Sequence, residues 1–215
     1  MVLPCRKHLF SSLNLNTELN SERFSDLLSK NPDITGYVKR LSYRLDNSIS
    51  DHEMNISGML KKLSSLQSIE LWSSVLYFEW DSLDESIRSS LVSLIQLPTV
   101  TFLNIYSFNG FPATAHSGCS NLIDLQLGNL ILAPSEVNQV ISRSKIPTPV
   151  SLCIFEGNEG LAALLNSASL HTGDPIVDFS CVQKAQFYLG CRDLLVLNEL
   201  IKVTTRLEDL KIDGE

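Results

Sequence analysis

The sequence predicts an α/β solenoid of about seven parallel strands with helices on its convex side. Three observations lead there. The spacing apolar-x-x-apolar-x-apolar recurs along the 215 residues. The intervals carry apolar residues at helical spacing. The recurrences average about 28 residues apart, a period that suits a strand and a helix per unit.

The strands come in order as Val38-x-x-Leu41-x-Tyr43, Leu66-x-x-Ile69-x-Leu71, Val100-x-x-Leu103-x-Ile105, Leu122-x-x-Leu125-x-Leu127, Val182-x-x-Ala185-x-Phe187 and Leu207-x-x-Leu210-x-Ile212. Leu152-x-Ile154 makes a seventh, with Pro149 at its first anchor. The middle anchors at 41, 69, 103, 125, 152, 185 and 210 are 28, 34, 22, 27, 33 and 25 residues apart. That period lies near the upper end of the leucine-rich-repeat range, and its scatter predicts irregular repeats.

Between the strands, Ser21 to Ser29 opens on an N-cap residue and carries Phe24, Leu27 and Leu28, while Asp84 to Ile95 carries Ile87, Leu91, Leu94 and Ile95. Ser135 to Ile141, Glu159 to Leu165 and Asp193 to Val203 read the same way, and Ile56 to Leu63 more weakly. A strand, helix, strand order at this period places parallel strands in one sheet.

Two features depart from a regular leucine-rich repeat. The Asn expected three positions past the last anchor is replaced by Ser74, Phe108, Leu130, Gly190 and Glu215, so no Asn ladder is expected. The Leu207 to Ile212 strand also runs into Gly214-Glu215 without a terminal repeat, which predicts an uncovered edge.

Composition sets the function classes. A net charge of -7 argues against a nucleic-acid or anionic-membrane partner, since both call for clustered Lys and Arg. Cys5, Cys119, Cys153, Cys181 and Cys191 are odd in number, lack a C-x-x-C and read as reduced, buried thiols. No apolar run approaches membrane-spanning length, and "CRKH" interrupts the place where a signal peptide would be apolar. The expected location is cytoplasmic or nuclear, where the sequon Asn55-Ile56-Ser57 is a chance match.

No residue set supports an enzyme. His116-Ser117-Gly118-Cys119 brings a base and a nucleophile together, but spacing supplies neither an orienting group nor an oxyanion pocket. The four histidines, His8, His52, His116 and His171, are far apart and read as solvated loop residues. Asp81, Asp84 and Glu85 precede a helix and read as caps and dipole partners rather than a cation site. No catalytic residue, metal site or cofactor is expected.

Strand alternation sorts residues by face. After each last anchor the concave face receives Arg44, Trp72, Tyr106, Gly128, Phe155, Tyr188 and Asp213. Between the last two anchors it receives Ser42, Glu70, Asn104, Gln126, Cys153, Gln186 and Lys211. An aromatic column beside a polar one suits a protein-binding groove, with Arg44, Trp72, Tyr106, Phe155 and Tyr188 as anchors and Glu70, Asn104, Gln126 and Gln186 fixing register. The alternative is that the aromatics pack on one another across the sheet. Lys39, Arg40 and Arg44 form a basic corner, either a seat for an acidic segment or a solvated edge. Trp72, Tyr77, Phe78 and Trp80 form a second aromatic cluster, readable as a loop packed on the outer helix.

"LPCRKHLFSSLNLN", "SERFSDLLSKNPDITGYVKRLSYRL" and "SLVSLIQLPTVTFLNIYSFNGFP" resemble the F-box-associated leucine-rich-repeat proteins of mushroom-forming fungi. The resemblance covers most of the first 135 residues. It implies that residues 1–20 are the junction between an F-box and the repeats, that 21–215 are the repeats, and that the F-box itself is missing. It further implies substrate selection for a cullin-type ubiquitin ligase. The repeats would hold a protein target on the concave face, and Skp adaptor and cullin would join only if an F-box lies upstream.

Overall fold

The structure, a computed structural model, describes residues 8–45, 53–133, 146–157, 159–167, 174–189 and 194–214. One nine-stranded parallel sheet organises them. Its strands are β1 (Ser12–Leu15), β2 (Arg40–Arg44), β3 (Ser68–Trp72), β4 (Phe78–Glu79), β5 (Phe102–Phe111), β6 (Asp124–Leu132), β7 (Ser151–Phe155), β8 (Lys184–Leu189) and β9 (Asp209–Gly214). They lie side by side in chain order, except that the two-residue β4 pairs with the far end of β5. The helices are α1 (Glu18–Lys30), α2 (Glu53–Leu60), α3 (Glu85–Ile95), α4 (Glu159–Asn166) and α5 (Leu194–Val203).

Helix boundaries follow from local chemistry. Asp84 caps α3 by accepting from the Ser86 N–H at 2.8 Å, and hydrogen bonds from the Ser86 side chain and then its N–H hold the carboxyl below the usual range. Asp81 and Glu85 both pair with Arg88, so the acidic trio serves the helix start as expected. Thr17 caps α1 by accepting from the Asn20 N–H, so this helix begins earlier than the expected Ser21. Pro32 follows its end, where a helix could not continue. α2 is likewise shifted to Glu53–Leu60 from the expected 56–63, and its Ser57 is buried against the Ser86 carbonyl and the Ser90 hydroxyl. The expected helix at 135–141 lies outside the described residues.

All seven expected strands are present, and their middle anchors form one row of register partners. Leu13, Leu41, Ile69, Leu103, Leu125, Leu152, Ala185 and Leu210 follow one another across the sheet. Leu15, Tyr43, Leu71, Ile105, Leu127, Ile154, Phe187 and Ile212 form the next row. Every member is buried except those of β9, where Leu210 is 38% and Ile212 49% exposed. The rows share one core with Phe24 and Leu28 of α1, Ile87 and Leu91 of α3, Leu161 and Leu164 of α4, and Leu197 and Leu200 of α5. The helices therefore cover the anchor face.

Seven of the nine strands, β1 and β4 excepted, are entered in the same way. Consecutive N–H groups of Lys39 and Arg40 share the carbonyl of Ser11, and those of Gln67 and Ser68 share that of Lys39. The series continues through the carbonyls of Gln67, Thr101, Ile123, Val150 and Gln183, at N–O distances of 2.8 to 3.2 Å. The irregular steps between strands are thus absorbed in the connections. The sheet itself begins at Ser12, so the boundary drawn at residue 20 falls after its first strand.

Several side chains sit differently from the sequence reading. His8 is exposed as expected, but His116 is fully buried. It follows the turn at Ala113–Ala115, packs on Phe111 at 5.8 Å, and directs Nδ1 to the Ala113 carbonyl. Of the described cysteines only Cys119 is buried, because Cys153 lies on the uncovered face and Cys181 in a surface turn, both half-buried. Cys5, Cys191, His52 and His171 lie outside the described residues. Phe78 and Trp80 pack edge-on against Phe108, and Trp80 against Phe111, so this part of the second aromatic cluster is core beneath the end of β5.

Candidate functional site

The face of the sheet opposite the helices carries every candidate residue. Arg44, Trp72, Tyr106, Gly128, Phe155, Tyr188 and Asp213 are successive register partners from β2 to β9. Ser42, Glu70, Asn104, Gln126, Cys153, Gln186 and Lys211 form the adjacent row, which Asn14 of β1 extends. All nine predicted partner-binding residues therefore share one face in two neighbouring rows. Each is half-buried except Tyr188, at 38% exposure.

The aromatic row is not a set of free rings. The Arg44 guanidinium lies over Trp72, 5.5 Å from the ring centroid. Phe155 and Tyr188 stack with centroids 5.0 Å apart and planes inclined by 13°. Gly128 does not interrupt the row, because Tyr106 leans into the space it leaves: a Cβ at Gly128 would meet Tyr106 Cδ2 at 2.4 Å. The Tyr188 hydroxyl accepts from Gln186 Nε2 at 2.7 Å, and Asp213 accepts from the same nitrogen. Arg44 of the basic corner is thus engaged, while Arg40 is exposed and Lys39 half-buried.

A knot of polar groups fixes the middle of the row. The Tyr106 hydroxyl donates to Glu156 Oε2 at 3.1 Å, and Asn129 Nδ2 donates to both. The Asn129 N–H also bonds the Glu156 carbonyl at 2.7 Å. Burial, then the bond to Glu156 and its negative charge, push the Tyr106 phenol above its ordinary pKa. Ser107, Asn129 and Glu156 each follow a row member and have left-handed φ of 65, 44 and 26°. The bend turns Phe108 and Leu130 into the core, which is why apolar residues occupy two of the expected ladder positions. Asn129, one position earlier, bonds across neighbouring strands instead.

Sequence reasoning passed over Asn129 and Glu156, and also a third row: Ser12, Arg40, Ser68, Phe102, Asp124, Ser151, Lys184 and Asp209. Extending the alternation two residues toward the start of each strand finds it. In the polar row the side-chain oxygen of Asn104 is buried without a hydrogen-bond partner, an acceptor between Glu70 and Gln126.

Elsewhere the chemistry is muted. Burial drives the His116 pKa down to about 4 and the Cys119 thiol up to about 12, so neither the imidazolium nor the thiolate is favoured. Cys119 donates to the carbonyls of Ile95 and Ala115. That geometry does not fit a nucleophile and its base. No group of three or more metal-ligating side chains occurs among the described residues, and no helix among them is long and apolar enough to cross a membrane. A shallow groove of about 320 Å³ between β1 and α1 contains none of the predicted residues.

No protein-family model matches the chain, and no curated protein matches it.

Proposed function

We propose that this chain is an irregular leucine-rich-repeat solenoid that binds a protein target across its open face, as the target-recognition part of an F-box-type ubiquitin ligase receptor. The carrying observation is the unbroken register of an aromatic row beside a polar row over seven strands. Fixed rings offer apolar area at low conformational cost, and amide and carboxylate neighbours select a register. The shared-carbonyl entry of seven strands supports the repeat reading. In this reading the protein is not an enzyme, uses no cofactor, binds no nucleic acid or membrane, and works in the cytoplasm or nucleus.

The ubiquitin half of the proposal rests on the resemblance of the N-terminal segments. An interaction or scaffold role without a ligase would use the same face. Tagging the protein at the C-terminus in its own locus, followed by crosslinking and purification, separates the two. Recovery of Skp and cullin subunits with a target supports the ligase role. A target recovered without them supports the scaffold, and a target still captured after Trp72→Ala and Tyr188→Ala, with the variant folded, refutes the open-face site.

A further inference from the structure

We propose that the target presents a basic segment, bearing Arg or Lys, to the middle of the open face, an inference that rests on the binding role proposed for that face. Charge is segregated along the sheet. On the neighbouring strands β3, β5, β6 and β7 the charged members of the three open-face rows are Glu70 and Asp124, and none is Lys or Arg. Glu156, directly after Phe155, adds a third carboxylate at the rim. The cations of these rows stand to either side, Arg40 and Arg44 on β2, Lys184 on β8 and Lys211 on β9. Arg44 lies over Trp72, and Lys211 pairs with Asp213 at 3.0 Å. Neither Glu70 nor Asp124 has a side-chain hydrogen bond or ion pair among the described residues. Glu156 accepts from two neutral groups, the Tyr106 hydroxyl and the Asn129 amide, and neither cancels its charge.

Glu70 and Asp124 are already half-buried. A target laid across the sheet removes the rest of their water, and a buried charge without a partner is costly. An apolar, acidic or phosphorylated segment would leave the carboxylates in that state. Arg or Lys supplies both the opposite charge and the donors. Two strand spacings and two residues separate Glu70 from Asp124, about 12 Å between backbones, which is the reach of a segment rather than of one ion. The aromatic row suits the same partner. Its own Arg44 shows a guanidinium seated on Trp72, and Tyr106, Phe155 and Tyr188 continue the row beyond it. The net charge of -7 adds long-range attraction for a basic partner.

Selection on the intact chain from a phage-displayed library of random peptides tests this. Recovered peptides should be enriched in Arg and Lys over the unselected library. Binding of a synthetic recovered peptide, read by fluorescence anisotropy, should weaken at least tenfold in Glu70→Gln with Asp124→Asn, and should weaken as salt is raised. Circular dichroism confirms that the variants are folded. Glu70→Lys with Asp124→Lys should turn the selection toward Asp and Glu. Neutral or acidic peptides whose binding is lost in Trp72→Ala would keep the open-face site and overturn the basic partner. Basic peptides indifferent to Glu70→Gln with Asp124→Asn would also overturn it, and if they were indifferent to Trp72→Ala and Tyr188→Ala as well, the open-face site would fall with it. A library that yields no binder would likewise overturn the proposal.

Discussion

Tyr106 fills the side-chain space of Gly128. The two are register partners on β5 and β6, and a methyl at Gly128 would lie 2.4 Å from Cδ2 and 2.7 Å from Cε2 of the ring. Gly128→Ala is therefore expected to destabilise the fold by about 1 to 3 kcal/mol, the range for overpacking. In a Tyr106→Ala background the cost should largely vanish. A double-mutant cycle by denaturant unfolding checks this, and additive losses would place the cost in contacts other than the Tyr106 ring, such as Phe155 Cβ at 3.0 Å.

Asn129 combines a left-handed backbone, at φ 44°, with two side-chain bonds to Tyr106 and Glu156. Asn129→Ala removes the bonds and keeps the backbone constraint, for an expected loss of about 2 kcal/mol or more. Asn129→Gly loses the bonds but tolerates the backbone, so it should be the milder change in chemical denaturation. The reverse order would place the main role of Asn129 in something other than its conformation.

The two readings of the aromatic row separate by mutation. On the binding reading, Trp72→Ala costs on the order of 2 kcal/mol or more of target affinity while leaving a folded protein. Leu125→Ala opens a core cavity at roughly 2 to 5 kcal/mol of stability. Tyr106→Ala is expected between them, because its ring and hydroxyl are both engaged within the chain. Thermal melts alongside binding measurements decide. A Trp72→Ala protein that melts as early as Leu125→Ala but keeps its target would identify the row as packing.

His116 predicts a pH dependence. Its folded pKa is depressed to about 4 by burial, whereas the unfolded residue titrates near 6.5. Below about pH 6.5 the unfolded chain takes up a proton that the folded chain refuses until about pH 4. Stability from this group is thus fully present above pH 6.5 and declines by on the order of 3 kcal/mol as pH falls through that window. His116→Phe should flatten this part of the stability profile measured by urea unfolding. An unchanged slope would assign the acid sensitivity to other groups.

The strands were legible because each anchor row needs an apolar residue at the same three offsets in every unit. The period-two alternation then sorted Trp72, Tyr106, Phe155 and Tyr188 onto one face. β1 carries the same signal in Phe10-x-x-Leu13-x-Leu15, 28 residues before Leu41, within the segment where the resemblance implies the first strand of the repeats. The bends after Tyr106, Gly128 and Phe155 were not legible, since left-handed backbone at Ser107 and Glu156 has no strong residue signal. Nor was the burial of His116 or Trp80, since both depend on how the end of β5 packs at Phe111. Local pattern fixes the direction a side chain points, while its neighbours are chosen by the whole fold.

The side-by-side order of the strands makes the molecule nearly one-dimensional. Apart from the short β4, β-pairing joins each strand to its nearest neighbours in sequence, so β1 and β9 influence each other only through the strands between them. Loop closure between partners is short throughout, which favours rapid, progressive assembly. It also makes the molecule extensible. A further strand paired in chain order would lengthen the open face by one strand spacing of about 4.8 Å.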